Sequence, residues 1–164
     1  PMAEVVRELQ ALPDADIRAM ATYLASFNAP APDTAALDAS AQAAIARAAQ
    51  GPGALLGPAQ RLFDGACAAC HHDGDGPTVL GLNRPLALSS KLTSERPDNL
   101  LRTILEGVRE PATREIGFMQ GFGEVLSDTQ IAELAAYLRA RYAPGRPPWQ
   151  GVDETLRALR AEVR

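Results

Sequence analysis

Apolar residues recur along the chain at three- and four-residue intervals, cut by Pro- and Gly-rich breaks, a pattern that predicts an all-α fold. Val5, Val6, Leu9 and Leu12 fall at helical spacing in residues 2–11 and just after. Leu12-Pro13-Asp14-Ala15-Asp16 then reads as a helix start, with proline and acids in the first turn. Ile17, Met20, Ala21, Leu24 and Phe27 make an amphipathic stripe ending near Asn28, on which Met20 is read as a core residue. Residues 29–33 form an extended Pro-rich linker. An Ala-rich helix follows over 34–50 and stops at Gly51-Pro52-Gly53. Pro58 opens a helix carrying Leu62 and Phe63 that runs on through residues 67–71. Asp73–Pro77 is a turn-rich loop and 78–96 reads as irregular, with Leu80, Leu82, Leu86 and Leu88 free to pack. Pro97-Asp98-Asn99 opens a helix through Leu100, Leu101, Ile104 and Leu105, closed by Gly107. Ser127-Asp128-Thr129-Gln130 is a capping box with Leu126 and Ile131 as its hydrophobic staple. The helix it starts turns Ile131, Leu134, Ala135, Leu138 and Tyr142 inward and stops at Pro144-Gly145. A tail with Pro147-Pro148-Trp149 ends in a short helix bearing Leu156, Leu159 and Val163, predicted to pack on the domain or on a partner.

One stretch within this pattern carries chemistry. Cys67-Ala68-Ala69-Cys70-His71 is C-x-x-C-H, the signature of covalent c-type haem attachment. Thiols three residues apart on a helix share a face, so both reach the vinyl groups of one porphyrin, and the adjacent imidazole binds iron. Three other uses of the motif are weaker. A thioredoxin-like pair needs a neighbouring βαβ pattern. A structural zinc site needs four ligands, and the only Cys and His residues are Cys67, Cys70, His71 and His72, too cramped for a tetrahedron. A disulfide between these cysteines would be strained. His72 points away from His71 on a helix and reads as a solvated polar residue.

Composition agrees with a haem domain. The 164 residues suit one small domain with appendages. Alanine is abundant, and the 3 Tyr, 4 Phe and 1 Trp would fill an apolar core poorly, a shortage that a flat apolar cofactor offsets. The formal charge of −4 argues against nucleic acid as partner. No apolar run approaches the roughly 18 residues of a membrane span. Haem is joined to this motif outside the cytoplasm, yet no export signal is visible. Together with Pro1 preceding Met2, this suggests a mature fragment of a longer chain.

Whether iron keeps an open position depends on a second axial ligand. Met2, Met20 and Met119 are the only thioethers. Met119 sits in Gly117-Phe118-Met119-Gln120-Gly121-Phe122-Gly123, just before the last core helix. Glycines allow close backbone approach to a porphyrin, and Phe118 and Phe122 would keep water from the sulfur. His71 and Met119 are therefore the expected iron ligands, giving a six-coordinate centre of comparatively high potential. Arg84, Lys91 and Arg96 lie in the irregular segment, where one could pair with a haem propionate, Arg84 being the first choice. No acid–base pair or nucleophile constellation appears, so the chain is not expected to be an enzyme.

With these residues placed, the sequence resembles the class I c-type cytochromes over about residues 55–143. Leu62-Phe63-Asp64-Gly65-Ala66 leading into Cys67–His71 is similar to that family's first helix and attachment site, and Gly76-Pro77 to its Gly-Pro. The resemblance implies a class I cytochrome c fold around one covalent haem, with extra N-terminal helices and a short C-terminal helical tail. It also implies that the Pro77 carbonyl orients His71, and that Leu134, Tyr137 and Leu138 cross the first helix at Ala59 and Phe63. Ala59 stands where the family usually has glycine. Arg96-Pro97-Asp98-Asn99-Leu100-Leu101, Ile104-Leu105-Glu106-Gly107 and Phe118 through Asp128 resemble, more narrowly, the last haem domain of multihaem cytochrome subunits of periplasmic dehydrogenases. Such subunits serve molybdenum, quinone-cofactor or flavin enzymes. The Pro147-Pro148-Trp149 tail is most similar to the molybdenum group, although Gln120 replaces that family's usual proline.

An internal repeat fits the multihaem likeness. Residues 12–24 align with 126–138 at a constant offset of 114, with Leu, Asp, Ile, Ala, Tyr and Leu identical. Four segments are thus expected: 1–28, either the end of a preceding cytochrome domain with Met2 as its former ligand or a segment in which Met2 is an initiator behind a tag remnant; 29–53, a linker with a helix; 54–143, the haem domain; and 144–164, the tail. The expected role is transfer of single electrons from a periplasmic dehydrogenase subunit to a terminal acceptor, in the periplasm and membrane-associated through partners. The competing role is a haem protein with an open iron site, a gas sensor or peroxidase-like enzyme, and a third is a non-haem zinc or dithiol module.

Overall fold

A computed structural model describes residues 3–28, 33–50, 57–72, 83–109 and 117–162, with the side chains of residues 3 and 4 left aside. These residues form helices α1 (Ala3–Leu9), α2 (Asp14–Ala25), α3 (Thr34–Ala49), α4 (Pro58–Ala66), α5 (Ala68–His71), α6 (Ser90–Thr93), α7 (Asp98–Glu106), α8 (Asp128–Tyr142) and α9 (Val152–Glu162). A 3₁₀ turn, Leu86–Leu88, precedes α6. The only extended pairing among the described residues is a single antiparallel bridge between Val108 and Met119. The fold is all-α.

Phe63 of α4, Leu92 of α6, Leu101 of α7, Ile131 and Leu134 of α8 and Leu156 of α9 are fully buried and define the core. α8 is its spine. The capping box forms as predicted: the Ser127 hydroxyl accepts from Gln130 N at 3.2 Å, and Ser127 N donates to the Gln130 side chain at 2.9 Å. Both bonds satisfy donors that a helix start would otherwise leave orphaned. α8 lies across α4, where the Phe63 ring meets Tyr137 at 5.6 Å and Tyr142 at 6.1 Å between centroids. That is the crossing the family resemblance implies.

The tail packs on this domain. Leu156 and Leu159 of α9 are buried, and Trp149 Nε1 donates to the Ser94 carbonyl at 3.0 Å. Arg139 is the buried charge that seals the junction. Its guanidinium donates to the carbonyls of Leu92, Ser94 and Pro147, and it stacks on the Trp149 ring at 4.3 Å. Loss of hydration, then repulsion from Arg146, holds its pKa below the ordinary arginine value.

The structure departs from the sequence expectations in several places. The helix predicted to run unbroken through residues 67–71 breaks at Cys67, whose φ of −121° takes it out of the helical region between α4 and α5. The segment read as irregular includes the 3₁₀ turn and α6. The stripe on α2 exists but meets no core: α2 has no buried residue, and Met20, expected as a core side chain, is exposed. His72, read as solvated, is half-buried beside Asn83. Among the described residues no helix is long and apolar enough to cross a membrane.

Candidate haem site

The break at Cys67 shapes the attachment motif. Cys67 N still donates to Phe63 O at 2.8 Å, so α4 closes normally. The Cys67 carbonyl then accepts from both Cys70 N at 3.1 Å and His71 N at 3.0 Å, winding the motif into one tight turn. Both thiols are unbridged and partly exposed. Burial, and then the neighbouring Cys70, push the Cys67 thiol up to about 11, so it stands protonated at neutral pH.

His71 is held by backbone. Its Nδ1 lies 2.9 Å from the Arg84 carbonyl oxygen. A carbonyl only accepts, so Nδ1 is the donor, the arrangement in which a neutral imidazole leaves Nε2 available to bind a metal. Arg84 N in turn donates to the Cys70 carbonyl at 2.9 Å, so residue 84 is laced to the motif from both sides. Arg84 thus meets the motif through its main chain, while its side chain is exposed. Pro77, to which the resemblance gives the orienting role, lies outside the described residues, as do Met2, Leu80, Leu82 and Val163. Asn83 Nδ2 donates to His72 Nδ1 at 3.3 Å, tying the residue after the motif to the same segment.

Met119 is placed by glycine. Val108 N donates to Met119 O at 2.7 Å and Met119 N to Val108 O at 3.0 Å, pinning the segment against the end of α7. Further along, Phe122 N reaches Ile104 O at 2.8 Å and Gly123 N reaches Leu105 O at 3.0 Å. The approach is so close that a Cβ on Gly121 would lie 2.6 Å from the Leu105 carbonyl oxygen. Met119, Cys67 and Ala68 are all partly buried against the same hydrophobic core. Phe122 belongs to that core, whereas Phe118, expected beside it, is 58% exposed.

Lys91 is half-buried, and Arg96 pairs with Asp98 at the start of its own helix. That hydrogen bond holds the Asp98 carboxyl below its usual range. Among the described residues no group of three or more His, Cys, Asp or Glu side chains is arranged to hold a metal ion, so the zinc alternative finds no ligand set. Two thiols on one turn, an imidazole with its Nε2 lone pair free and a thioether packed on the same core suit a covalently held haem. Sequence reasoning missed Arg139, Asn83 and the bridge at Val108, none of which shows a periodic signal.

The chain is similar to known cytochrome proteins. Residues 54–138 match the family model described as cytochrome c oxidase, cbb3-type, subunit III. The chain is 44% identical over 163 residues to a nicotinate dehydrogenase subunit of Pseudomonas putida, a match spanning 98% of this chain and 13% of that protein. It is 30% identical over 158 residues to the fructose dehydrogenase cytochrome subunit of Gluconobacter japonicus, spanning 87% of this chain and 32% of that protein.

Proposed function

The chain belongs to the cytochrome c family of the cbb3-type oxidase subunit III, and from that premise we propose that it is the electron-transferring haem domain of a dehydrogenase's cytochrome subunit. The observation that supports this reading is the His71 Nδ1 bond to Arg84 O, which orients the ring and leaves its other nitrogen available to a metal. Cys67 and Cys70 would hold one haem c covalently, and His71 and Met119 would ligate its iron. When bound, the group supplies a one-electron ferric–ferrous couple. The residues themselves perform no bond-making step, only binding, orientation and exclusion of water. Phe122 keeps the thioether side dry, and the Arg84 carbonyl fixes the imidazole plane.

The dehydrogenase partner is inferred from the relatives, and the nicotinate type agrees with the molybdenum-group likeness of the tail. A periplasmic location follows from where such haems are attached. Residues 1–28 are proposed to end a preceding cytochrome domain: Ile17, Met20, Ala21 and Leu24 repeat the positions of Ile131, Leu134, Ala135 and Leu138, which α8 buries in the core. The same face of α2 has no such cover among the described residues.

Intact-mass measurement after expression with a haem-attachment system tests the proposal. This chain should gain the mass of one haem, lose it when Cys67 and Cys70 are both replaced by alanine, and titrate as a one-electron couple. The native gene product should carry more than one haem. A colourless protein of unmodified mass would refute the reading.

A further inference from the structure

We propose that Arg160, on the C-terminal helix, is a positioning residue that holds the Met119 segment in place, so that methionine ligation depends on the tail. This rests on the reading of Met119 as the iron ligand.

Residues 117–126 contain no helix, and their placement depends on the few backbone bonds that reach them. α7 supplies these on one side, through the carbonyls of Ile104 and Leu105 and the pairing with Val108. On the other side the segment meets Arg160 of α9. Arg160 Nη1 donates to the Gly123 carbonyl at 2.7 Å, Nη2 to the Leu126 carbonyl at 3.0 Å, and Nε to the Asp128 carboxylate at the first turn of α8. A guanidinium is a planar, rigid fork, so these three bonds hold together only while Gly123, Leu126 and Asp128 keep their mutual spacing. Gly123 is gripped twice, its N–H by Leu105 and its carbonyl by Arg160. Bonds from a charged donor are roughly twice as strong as neutral ones.

The fork has a firm base. Leu156 and Leu159 bury the inner face of α9 in the core, whereas the solvent-exposed pair of Glu162 with Arg102 adds little to that anchorage. α9 therefore transmits its own position to the far end of the methionine segment. The Arg160 side chain is 30% exposed, so water can replace its donors and a variant loses position rather than the fold.

The test uses the haem-loaded protein. Three readouts apply: the far-red sulfur-to-iron band of the oxidised form, the rate of carbon monoxide binding to the reduced form, and amide exchange at Phe122 and Gly123. In Arg160→Gln the band should weaken, and carbon monoxide binding and Gly123 exchange should both accelerate at least about tenfold, the change that losing even one of the three charge-assisted bonds makes in an equilibrium. Arg160→Lys, which keeps the charge beside Asp128 without the fork, should fall between Arg160→Gln and wild type. It also serves if the glutamine variant folds poorly. Glu162→Gln, which removes an exposed ion pair between α9 and Arg102 of α7, should leave all three readouts at wild-type values.

Unchanged carbon monoxide binding and exchange in Arg160→Gln, with the wild-type band present, would overturn the inference. Equal effects from Glu162→Gln would also overturn it, by assigning the effect to the tail as a whole. A wild-type protein without the band would refute methionine ligation and with it the dependence on the tail. Gly123 exchange would then show separately whether Arg160 holds the segment.

Discussion

Gly107 is where the backbone geometry of the methionine side can be tested most sharply. It adopts φ 74° and ψ −160° as the cap of α7, a region essentially reserved for glycine. A Cβ there would press into the Met119 carbonyl oxygen and lie 2.6 Å from the Gln120 carbonyl carbon. Gly107→Ala therefore costs about 1–3 kcal/mol in backbone strain alone. Relieving the contact means moving residues 119–121 and loosening the Val108–Met119 pair, two hydrogen bonds at about 1 kcal/mol each. The sum is about 3–5 kcal/mol, which for a chain of this size corresponds to a fall in melting temperature of about 6–20 °C. Thermal melts of the haem-loaded variant and wild type, followed in the far ultraviolet, measure it. Gly145→Ala is the control: a Cβ there meets nothing within 4 Å. A Gly107→Ala melt within about 2 °C of wild type would refute the steric reasoning. So would an equal fall in the control.

Other consequences follow from the core and the cofactor. Phe63→Ala, at a ring only 2% exposed between Tyr137 and Tyr142, should cost about 3–5 kcal/mol in denaturant unfolding. Ser127→Ala removes one half of the capping box and should cost about 1 kcal/mol by the same assay. Removing the haem should abolish the cooperative thermal transition, since a ligand that binds only the native state adds its binding energy to stability. An intact sharp melt of the apo-protein would contradict that.

How far the sequence reached depended on whether the signal was local. The capping box at Ser127 and Gln130 and the glycine stop at Gly107 are short-range devices, and both appear where the sequence put them. C-x-x-C-H was legible for the same reason, although the break at Cys67 was not, because a single off-helix residue leaves the apolar spacing intact. Periodicity showed that α2 has an apolar face but could not say what covers it. Arg139 follows Leu138 and reads as a surface residue. Its burial depends on carbonyls of residues 92, 94 and 147, which distant parts of the chain bring together. The partner of His71 was hidden for another reason: Arg84 acts through its main-chain carbonyl, and a main-chain group leaves no mark in the residue type.

The far-red absorbance of the oxidised, haem-loaded protein tests the central claim most directly. With His71 and Met119 both on iron, the wild-type protein should show the weak sulfur-to-iron band, bind carbon monoxide slowly when reduced, and lose the first property and reverse the second in Met119→Ala. Absence of the band in wild type, with fast carbon monoxide binding unchanged by Met119→Ala, would contradict it and mark an open iron site instead.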